Sequence, residues 1–79
     1  MTGDLRIGID IGGTFTDFTV LADDGGLVLW KEDSTPDEPG RAVRQGLAAV
    51  AERLGTDVGG LLGRTSLLVH GTTIATNIL

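Results

Sequence analysis

The chain of 79 residues contains no cysteine and one histidine, and these absences exclude several kinds of site. Without cysteine, neither a disulfide nor a thiolate metal site stabilises this small fold. A single histidine cannot build a zinc site on its own. Basic residues are also scarce: six Lys and Arg stand against eleven Asp and Glu, and aromatic residues make up 4% of the chain. This balance argues against nucleic-acid binding, which needs a basic surface and stacking platforms.

Long apolar runs are absent as well. No run approaches the ~20 residues that a membrane-spanning helix needs, so we expect no insertion into a membrane. Residues 1–4 carry neither the basic segment nor the apolar segment of a secretory signal, and a cytoplasmic location is therefore expected. What the chain does have is 41% hydrophobic residues, which predicts a folded segment and not a disordered one.

The first third of the chain is predicted to form three antiparallel strands. Residues 4–11 alternate between apolar and polar or small types, which is the period of a strand. Residues 15–22 are rich in Phe, Thr, Val and Leu, which favour strands. Residues 23–26 read Asp-Asp-Gly-Gly, which is typical of a hairpin turn, and residues 27–31 form the third strand.

An amphipathic helix is predicted next. Pro39 suits a first helical turn, and Gly55 suits the position just after a helix end. Gly46 lies inside the predicted helix, where glycine is unfavourable, so it indicates a close approach of the helix to the sheet. The apolar side chains recur at helical spacing and form one stripe: Val43, Leu47, Val50 and Leu54.

The last third predicts one short turn at residues 58–62, a buried strand at 65–70, and a break at 71–73. Thr73 is positioned to cap a further helix that begins at Ile74. The order is β-β-β-α-β-α, and a strand-helix-strand crossover places the fourth strand parallel to the first. The last helix stops without a terminator, so we expect a fragment of a longer protein.

Two segments rich in glycine and threonine follow the first and fourth strands, at residues 10–14 and 70–73. Because these strands are parallel neighbours, their carboxyl ends meet at one edge. Ligands of open α/β sheets bind at such an edge. The pattern therefore predicts one cleft between the two turns.

The chemistry of these segments fits a phosphate and a magnesium ion. Gly12 and Gly13 let backbone amides approach oxygen atoms, and Thr14 adds a hydroxyl. Asp10 supplies a carboxylate for a hydrated Mg²⁺, which typically takes one or two carboxylates, waters and substrate phosphates. The threonines of residues 72–73 add donors at a predicted helix start. No residue is assigned a catalytic role.

Simpler interpretations of the same residues stay open. The glycine hairpin is also explained as a tight turn, and Asp10 as an acceptor for turn amides without a metal. His70 fits a structural role, and Asp17 is interpreted as a strand residue that hydrogen-bonds the glycine turn. The motif G-x-x-x-x-G-K-[ST] is absent, which excludes a P-loop protein, and G-x-G-x-x-G is absent too, so a Rossmann fingerprint is not supported.

Residues 7–17, Ile-Gly-Ile-Asp-Ile-Gly-Gly-Thr-Phe-Thr-Asp, resemble the first phosphate motif of the actin-like ATPase superfamily. Together with residues 69–77, Val-His-Gly-Thr-Thr-Ile-Ala-Thr-Asn, and the loop at 34–39, they resemble the N-terminal region of the hydantoinase A and oxoprolinase family. The likeness covers essentially the whole chain. It implies an α/β fold, with residues 1–79 forming a truncated N-terminal part of an actin-like (ribonuclease H-like) domain.

The resemblance also implies an activity. Family members couple ATP hydrolysis to opening a cyclic amide such as a hydantoin or 5-oxoproline, and related members are subunits of ATP-dependent ketone carboxylases. The implied ligands are ATP, Mg²⁺ and a cyclic amide, and the implied partner is a subunit of the same system or a second copy. A fragment is expected to be inactive alone. The uncapped apolar end and the unpaired sheet edge expected beside the fourth strand leave a non-catalytic association module as a further alternative.

By the same analogy, residues of both segments receive roles. Asp10 would hold Mg²⁺ through water. The residues that would bind the nucleotide phosphates are Gly12, Gly13, Thr14 and Thr16. The residues that would line the substrate cleft are His70, Gly71, Thr72, Thr73 and Asn77.

Overall fold

The chain forms a four-stranded mixed sheet with two helices, in a computed structural model that describes residues 4–72. The sheet order is β3-β2-β1-β4, with β1 antiparallel to β2 and parallel to β4. The α/β architecture expected from the sequence is therefore confirmed. The elements are β1 (Leu5–Ile11), β2 (Phe15–Ala22), β3 (Leu27–Asp33), α1 (Pro39–Arg53), α2 (Val58–Gly63) and β4 (Thr65–Thr72).

One face of the sheet is buried beneath α1 because the strands alternate with a period of two. In β1 and β2, every second side chain points to this face, and α1 contributes its apolar stripe from the other side. The largest buried apolar side chains are Leu5, Ile7, Phe18, Val20, Val50 and Leu61. The short helix α2 adds Leu61 to the same core and begins at Asp57, whose carboxylate accepts the amide of Gly60 at 2.7 Å.

Helix α1 ends where the sequence predicts. Gly55 adopts φ +76°, a left-handed conformation that favours glycine. Its amide donates to the carbonyl of Glu52 at 3.0 Å, and the amide of Thr56 donates to the carbonyl of Ala51 at 2.9 Å. This pair of bonds is a Schellman motif, which satisfies the carbonyl groups of the last helical turn.

The close approach predicted at Gly46 is the central contact between helix and sheet. A Cβ atom added to Gly46 would lie 2.1 Å from two ring carbons of Phe18. Phe18 is itself buried in β2, with 1% of its surface exposed. The aromatic ring therefore fills the space that any other residue at position 46 would need.

Strands β3 and β4 each continue two residues beyond their predicted ends. Asp33 is paired with Phe15 of β2, and Thr72 is paired with Ile11 of β1. In each case the strand is longer because its last residues pair with the backbone of a neighbouring strand, and the local sequence does not show this pairing. The predicted final helix, with Thr73 and Asn77, lies outside the described residues.

The sheet direction brings three strand ends together. β3 is antiparallel to β2, as β1 is, so β1, β3 and β4 all run the same way. Their carboxyl ends, at Ile11, Asp33 and Thr72, therefore share one edge with the turn at 12–14. The sequence predicted this edge from the first and fourth strands, and the structure adds the end of the third.

The face of the sheet opposite α1 is not covered by any of the described residues. Its exposed apolar side chains are Phe15, Leu21, Leu27, Leu29, Leu67 and Val69. Between residues 4 and 72, neither helix has the length and apolar character needed to cross a membrane.

The contact between Gly46 and Phe18 predicts a large effect of a small substitution. Gly46→Ala should lower the free energy of unfolding by about 1–3 kcal/mol, since the added methyl group overpacks the core. Gly63→Ala is the matched control, because a Cβ there meets no atom within 4 Å. Urea unfolding of the purified variants measures both effects. The penalty of Gly46→Ala should shrink in a Phe18→Leu background, and an equal penalty in both backgrounds would contradict this packing account.

Candidate anion-binding site

The turn between β1 and β2, residues 12–14, presents hydrogen-bond donors at the shared edge. The amide of Gly12 donates to the carbonyl of Phe15 at 2.9 Å and closes the hairpin. Gly13 and Thr14 are exposed. Over residues 4–72, the amides of Gly13 and Thr14 and the hydroxyl of Thr14 have no protein acceptor. Three donors are therefore free to bind an anion, and backbone amides in a turn are suited to phosphate oxygens.

Neither the backbone conformation nor the packing of the described residues requires glycine at position 13. Its φ is not in the left-handed region, where only Gly25 and Gly55 lie, and an added Cβ would meet no atom within 4 Å. Glycine at position 13 leaves the space at its own Cβ position unfilled by any described residue. That space is what the close approach of a ligand to the backbone requires.

Ser34, the first residue after β3, stabilises this turn with two hydrogen bonds. Its amide donates to the carbonyl of Thr14 at 2.8 Å, and its hydroxyl donates to the carbonyl of Gly12 at 2.7 Å. The hydroxyls of Ser34 and Thr16 are 3.0 Å apart. Since Ser34 has one hydroxyl proton and donates it to Gly12, Thr16 is the donor between the two hydroxyls.

The position of Thr16 differs from the role that the resemblance implied. Its side chain lies on the α1 side of the sheet with 0% of its surface exposed, and its hydroxyl proton is directed to Ser34. Within the described fold Thr16 therefore supports the turn through Ser34, and its implied role in phosphate binding stays a prediction. The cause is the alternation along β2, which turns Thr16 inward together with Phe18 and Val20.

Ser34 itself was not identified from the sequence, where it belongs to a polar loop leading into the helix. The signal that points to it is indirect. In a three-stranded meander the third strand runs parallel to the first, so the residue that follows the third strand falls beside the turn that follows the first. This inference needs the register of Phe15 against Asp33.

Asp10 lies at the end of β1 on the face opposite α1. It is exposed, with Asp17 of β2 directly across on one side and Gly71 of β4 on the other. Two carboxylates facing each other across strands repel. Lys31 balances one of them: its Nζ lies 3.5 Å from Asp17 Oδ1 and 4.6 Å from the centre of the Phe15 ring. Asp17 therefore pairs with Lys31, whereas the sequence suggested a bond to the glycine turn.

The available metal ligands suit Mg²⁺ better than a metal ion that is coordinated only by protein side chains. No group of three or more His, Cys, Asp or Glu side chains that could hold a metal occurs within the described part of the chain. A single carboxylate next to phosphate donors matches Mg²⁺, which keeps several waters and uses substrate phosphates as ligands. Asp10 beside the turn fits this pattern.

The structure places His70 and Gly71, which the sequence assigned to one cleft, on opposite faces of the sheet. Neighbours across a sheet share a face, so Gly71, paired with Asp10, lies on the Asp10 face. His70 is paired with Ile9 and lies on the opposite face, where it is exposed. A Cβ at Gly71 would meet no atom within 4 Å, so none of the residues 4–72 fills the space at this position beside Asp10.

The loop from Ser34 to Glu38 is tied to α1 as well as to the turn. The hydroxyl of Thr35 donates to the carbonyl of Glu38 at 2.6 Å and accepts the amide of Ala42 at 3.0 Å. A hydrogen bond from Arg44 at 2.9 Å, together with its charge, holds the pKa of the Glu38 carboxyl below its ordinary value. Through these bonds the loop joins the glycine turn to the start of the helix.

These features define an α/β domain with a sheet edge that carries free backbone amides beside a carboxylate. The sequence model of the hydantoinase/oxoprolinase N-terminal region matches residues 6–79, and the chain belongs to this family. The resemblance noted in the sequence is thus confirmed.

Two relatives are similar over most of the chain. The alpha subunit of caprolactamase from Pseudomonas jessenii is 43% identical over 74 residues, which are 94% of this chain and 11% of that protein. The gamma subunit of acetophenone carboxylase from Aromatoleum aromaticum is 38% identical over 73 residues, which are 92% of this chain and 10% of that protein. The chain therefore spans about a tenth of the length of these relatives, and both are subunits.

A solved structure has the same fold. The nucleotide-free structure of acetone carboxylase, described in connection with ATP-dependent acetone carboxylation, superimposes with a TM-score of 0.79 at 25% identity. The match covers 98% of this chain and 11% of that one.

Proposed function

We propose that the chain is the N-terminal, phosphate-binding part of an ATP-dependent enzyme that opens a cyclic amide. The observation that carries this proposal is the pair of free amides at Gly13 and Thr14 next to the carboxylate of Asp10. The relatives support it in two ways. Caprolactam is a cyclic amide, and the acetone carboxylase neighbour is described as ATP-dependent.

In this proposal the residues of the turn bind and orient the nucleotide. The amides of Gly13 and Thr14 and the Thr14 hydroxyl donate to phosphate oxygens, for which Gly12 and Gly13 leave room. Asp10 accepts hydrogen bonds from waters on Mg²⁺. When bound, ATP would supply a phosphoryl group to the amide carbonyl oxygen and leave as ADP; water would then add at the carbonyl carbon, the ring C–N bond would break to give the open-chain amine and carboxylate, and phosphate would be released.

The remaining parts of the proposal concern the rest of the enzyme. Gly71 lies beside Asp10 and leaves the substrate side of the edge open, while His70, Thr72, Thr73 and Asn77 stay candidates for the substrate cleft. The proposed parent works with a partner subunit, since both relatives are named as subunits. Its proposed location is the cytoplasm. The 79 residues by themselves are proposed to be inactive.

Gly13→Ala tests the phosphate contact in the full-length parent. The methyl group meets no atom of the described fold, so the melting temperature should not change. In the proposed complex this methyl group would stand next to the Gly13 amide, where the phosphate approaches the backbone, so the KM for ATP should rise about tenfold or more. Gly63→Ala, which also adds a methyl group in open space, should leave KM unchanged. A KM for ATP within twofold of the original protein would refute the contact.

Asp10→Asn tests the magnesium role. The amide has nearly the same shape but lacks the negative charge, so the Mg²⁺ concentration needed for half-maximal activity should rise about 10- to 100-fold. Glu52→Gln removes one exposed carboxylate from α1 and serves as the charge control. Both proteins are assayed for ATP hydrolysis over a magnesium titration. Unchanged magnesium dependence in Asp10→Asn would show that Asp10 does not organise the metal.

The reaction class is tested by the requirement for a second substrate. ATP hydrolysis by the full-length parent and its partner should be stimulated by a hydantoin, 5-oxoproline or caprolactam in bicarbonate-free buffer. Mass spectrometry should then detect the ring-opened product. Hydrolysis that needs both a ketone and bicarbonate would instead assign the protein to the carboxylases, which is the alternative that the sequence left open.

A further inference from the structure

We infer that Ser34 is a positioning residue, which orients the peptide between Gly12 and Gly13 so that the Gly13 amide faces the bound phosphate. This inference rests on the proposed function. It starts from the hydrogen bond of 2.7 Å that the Ser34 hydroxyl donates to the carbonyl of Gly12. That bond fixes the carbonyl end of the peptide whose other end is the Gly13 amide, and this amide makes no backbone hydrogen bond within the described chain.

The peptide plane transmits the effect of this bond. No peptide bond in the described chain is cis, so the carbonyl of Gly12 and the amide N–H of Gly13 lie in one peptide plane and point in opposite directions. Holding the carbonyl toward Ser34 therefore directs the N–H away from it. The same bond keeps the carbonyl oxygen, which would repel a phosphate, on the far side of the turn.

A second bond from Ser34 fixes the other end of the turn. Its backbone amide donates to the carbonyl of Thr14 at 2.8 Å. Ser34 thus holds the Gly12–Gly13 peptide and the Thr14–Phe15 peptide through their carbonyl groups. The Gly13–Thr14 peptide between them has no bond to the described protein. A glycine turn would otherwise lose much entropy on binding, and these bonds reduce that loss in advance.

Thr16 completes the arrangement from the core. Its hydroxyl donates to the Ser34 hydroxyl at 3.0 Å, and the Ser34 hydroxyl donates to the Gly12 carbonyl. The two hydrogen bonds therefore form a chain in which each hydroxyl donates toward the turn. Hydrogen bonds in such a chain strengthen one another, and more so at a buried position. Valine replaces the threonine hydroxyl with a methyl group and keeps the branched side chain, so Thr16→Val removes this hydrogen bond.

The chain provides a matched control at the other end of the same strand. The Ser66 hydroxyl donates to the carbonyl of Leu5, the first residue of β1, at 3.3 Å, and this is again a bond from a serine hydroxyl to a backbone carbonyl. Ser34→Ala and Ser66→Ala each remove one such bond. Only the first is next to the glycine turn, so a purely structural role predicts similar behaviour of the two variants.

The test uses the full-length parent and measures binding without turnover. Calorimetry with a non-hydrolysable ATP analogue gives Kd, steady-state kinetics give KM and kcat, and thermal unfolding gives Tm. For Ser34→Ala and Thr16→Val we expect Kd and KM for the nucleotide to rise about five- to tenfold, as the loss of one hydrogen bond predicts. Thr16→Ser retains the hydroxyl and should bind nearly as well as the original protein. Ser66→Ala should bind unchanged.

Three results would overturn the inference. One is a Kd for Ser34→Ala within twofold of the original while Gly13→Ala weakens binding, which leaves the phosphate site intact but removes Ser34 from it. Another is equal weakening in Ser34→Ala and Ser66→Ala. The third is failure of Thr16→Ser to restore binding relative to Thr16→Val, which decides the matter even where Ser34→Ala does not fold. If Gly13→Ala and Ser34→Ala both bind normally, the proposed function itself is wrong.

Discussion

The position of β1 between β2 and β4 is the constraint on which the rest of the structure depends. β1 pairs antiparallel with β2 and parallel with β4 along its full length. Its buried side chains, Leu5, Ile7 and Ile9, form the middle of the core. Because a shift of one residue would move these side chains to the open face, burial holds the register, and the register in turn places Asp10 between Asp17 and Gly71.

The candidate site is built on the core through the loop that begins at Ser34. On one side, Ser34 holds the glycine turn and is itself held by the buried Thr16. On the other side, Thr35 and Glu38 bond to the first turns of α1, and α1 is fixed to the sheet where Gly46 meets Phe18. The turn with the free amides thus rests on a loop that is itself anchored to the helix, and such support is what a preorganised binding site requires.

The two faces of the sheet have different roles. The face under α1 holds the core, while the opposite face carries Asp10, the Asp17–Lys31 pair and a group of exposed apolar side chains. An apolar surface of this kind marks a region that packs against something else. It accords with the proposal that the chain is one part of a larger enzyme, since the chain spans about a tenth of the length of its relatives.

The sequence by itself determined the elements and the edge at which the candidate site lies. Period-two alternation, the helical stripe from Val43 to Leu54 and the glycine after α1 are local signals, and the crossover rule then places β4 beside β1. Only the tertiary structure decided which side chains act together. Ser34 joins the turn, Thr16 turns inward, Asp17 pairs with Lys31 and His70 faces away from Asp10 because of pairings between residues distant in the chain. Local patterns contain no information on register across strands, and register is what sets these contacts.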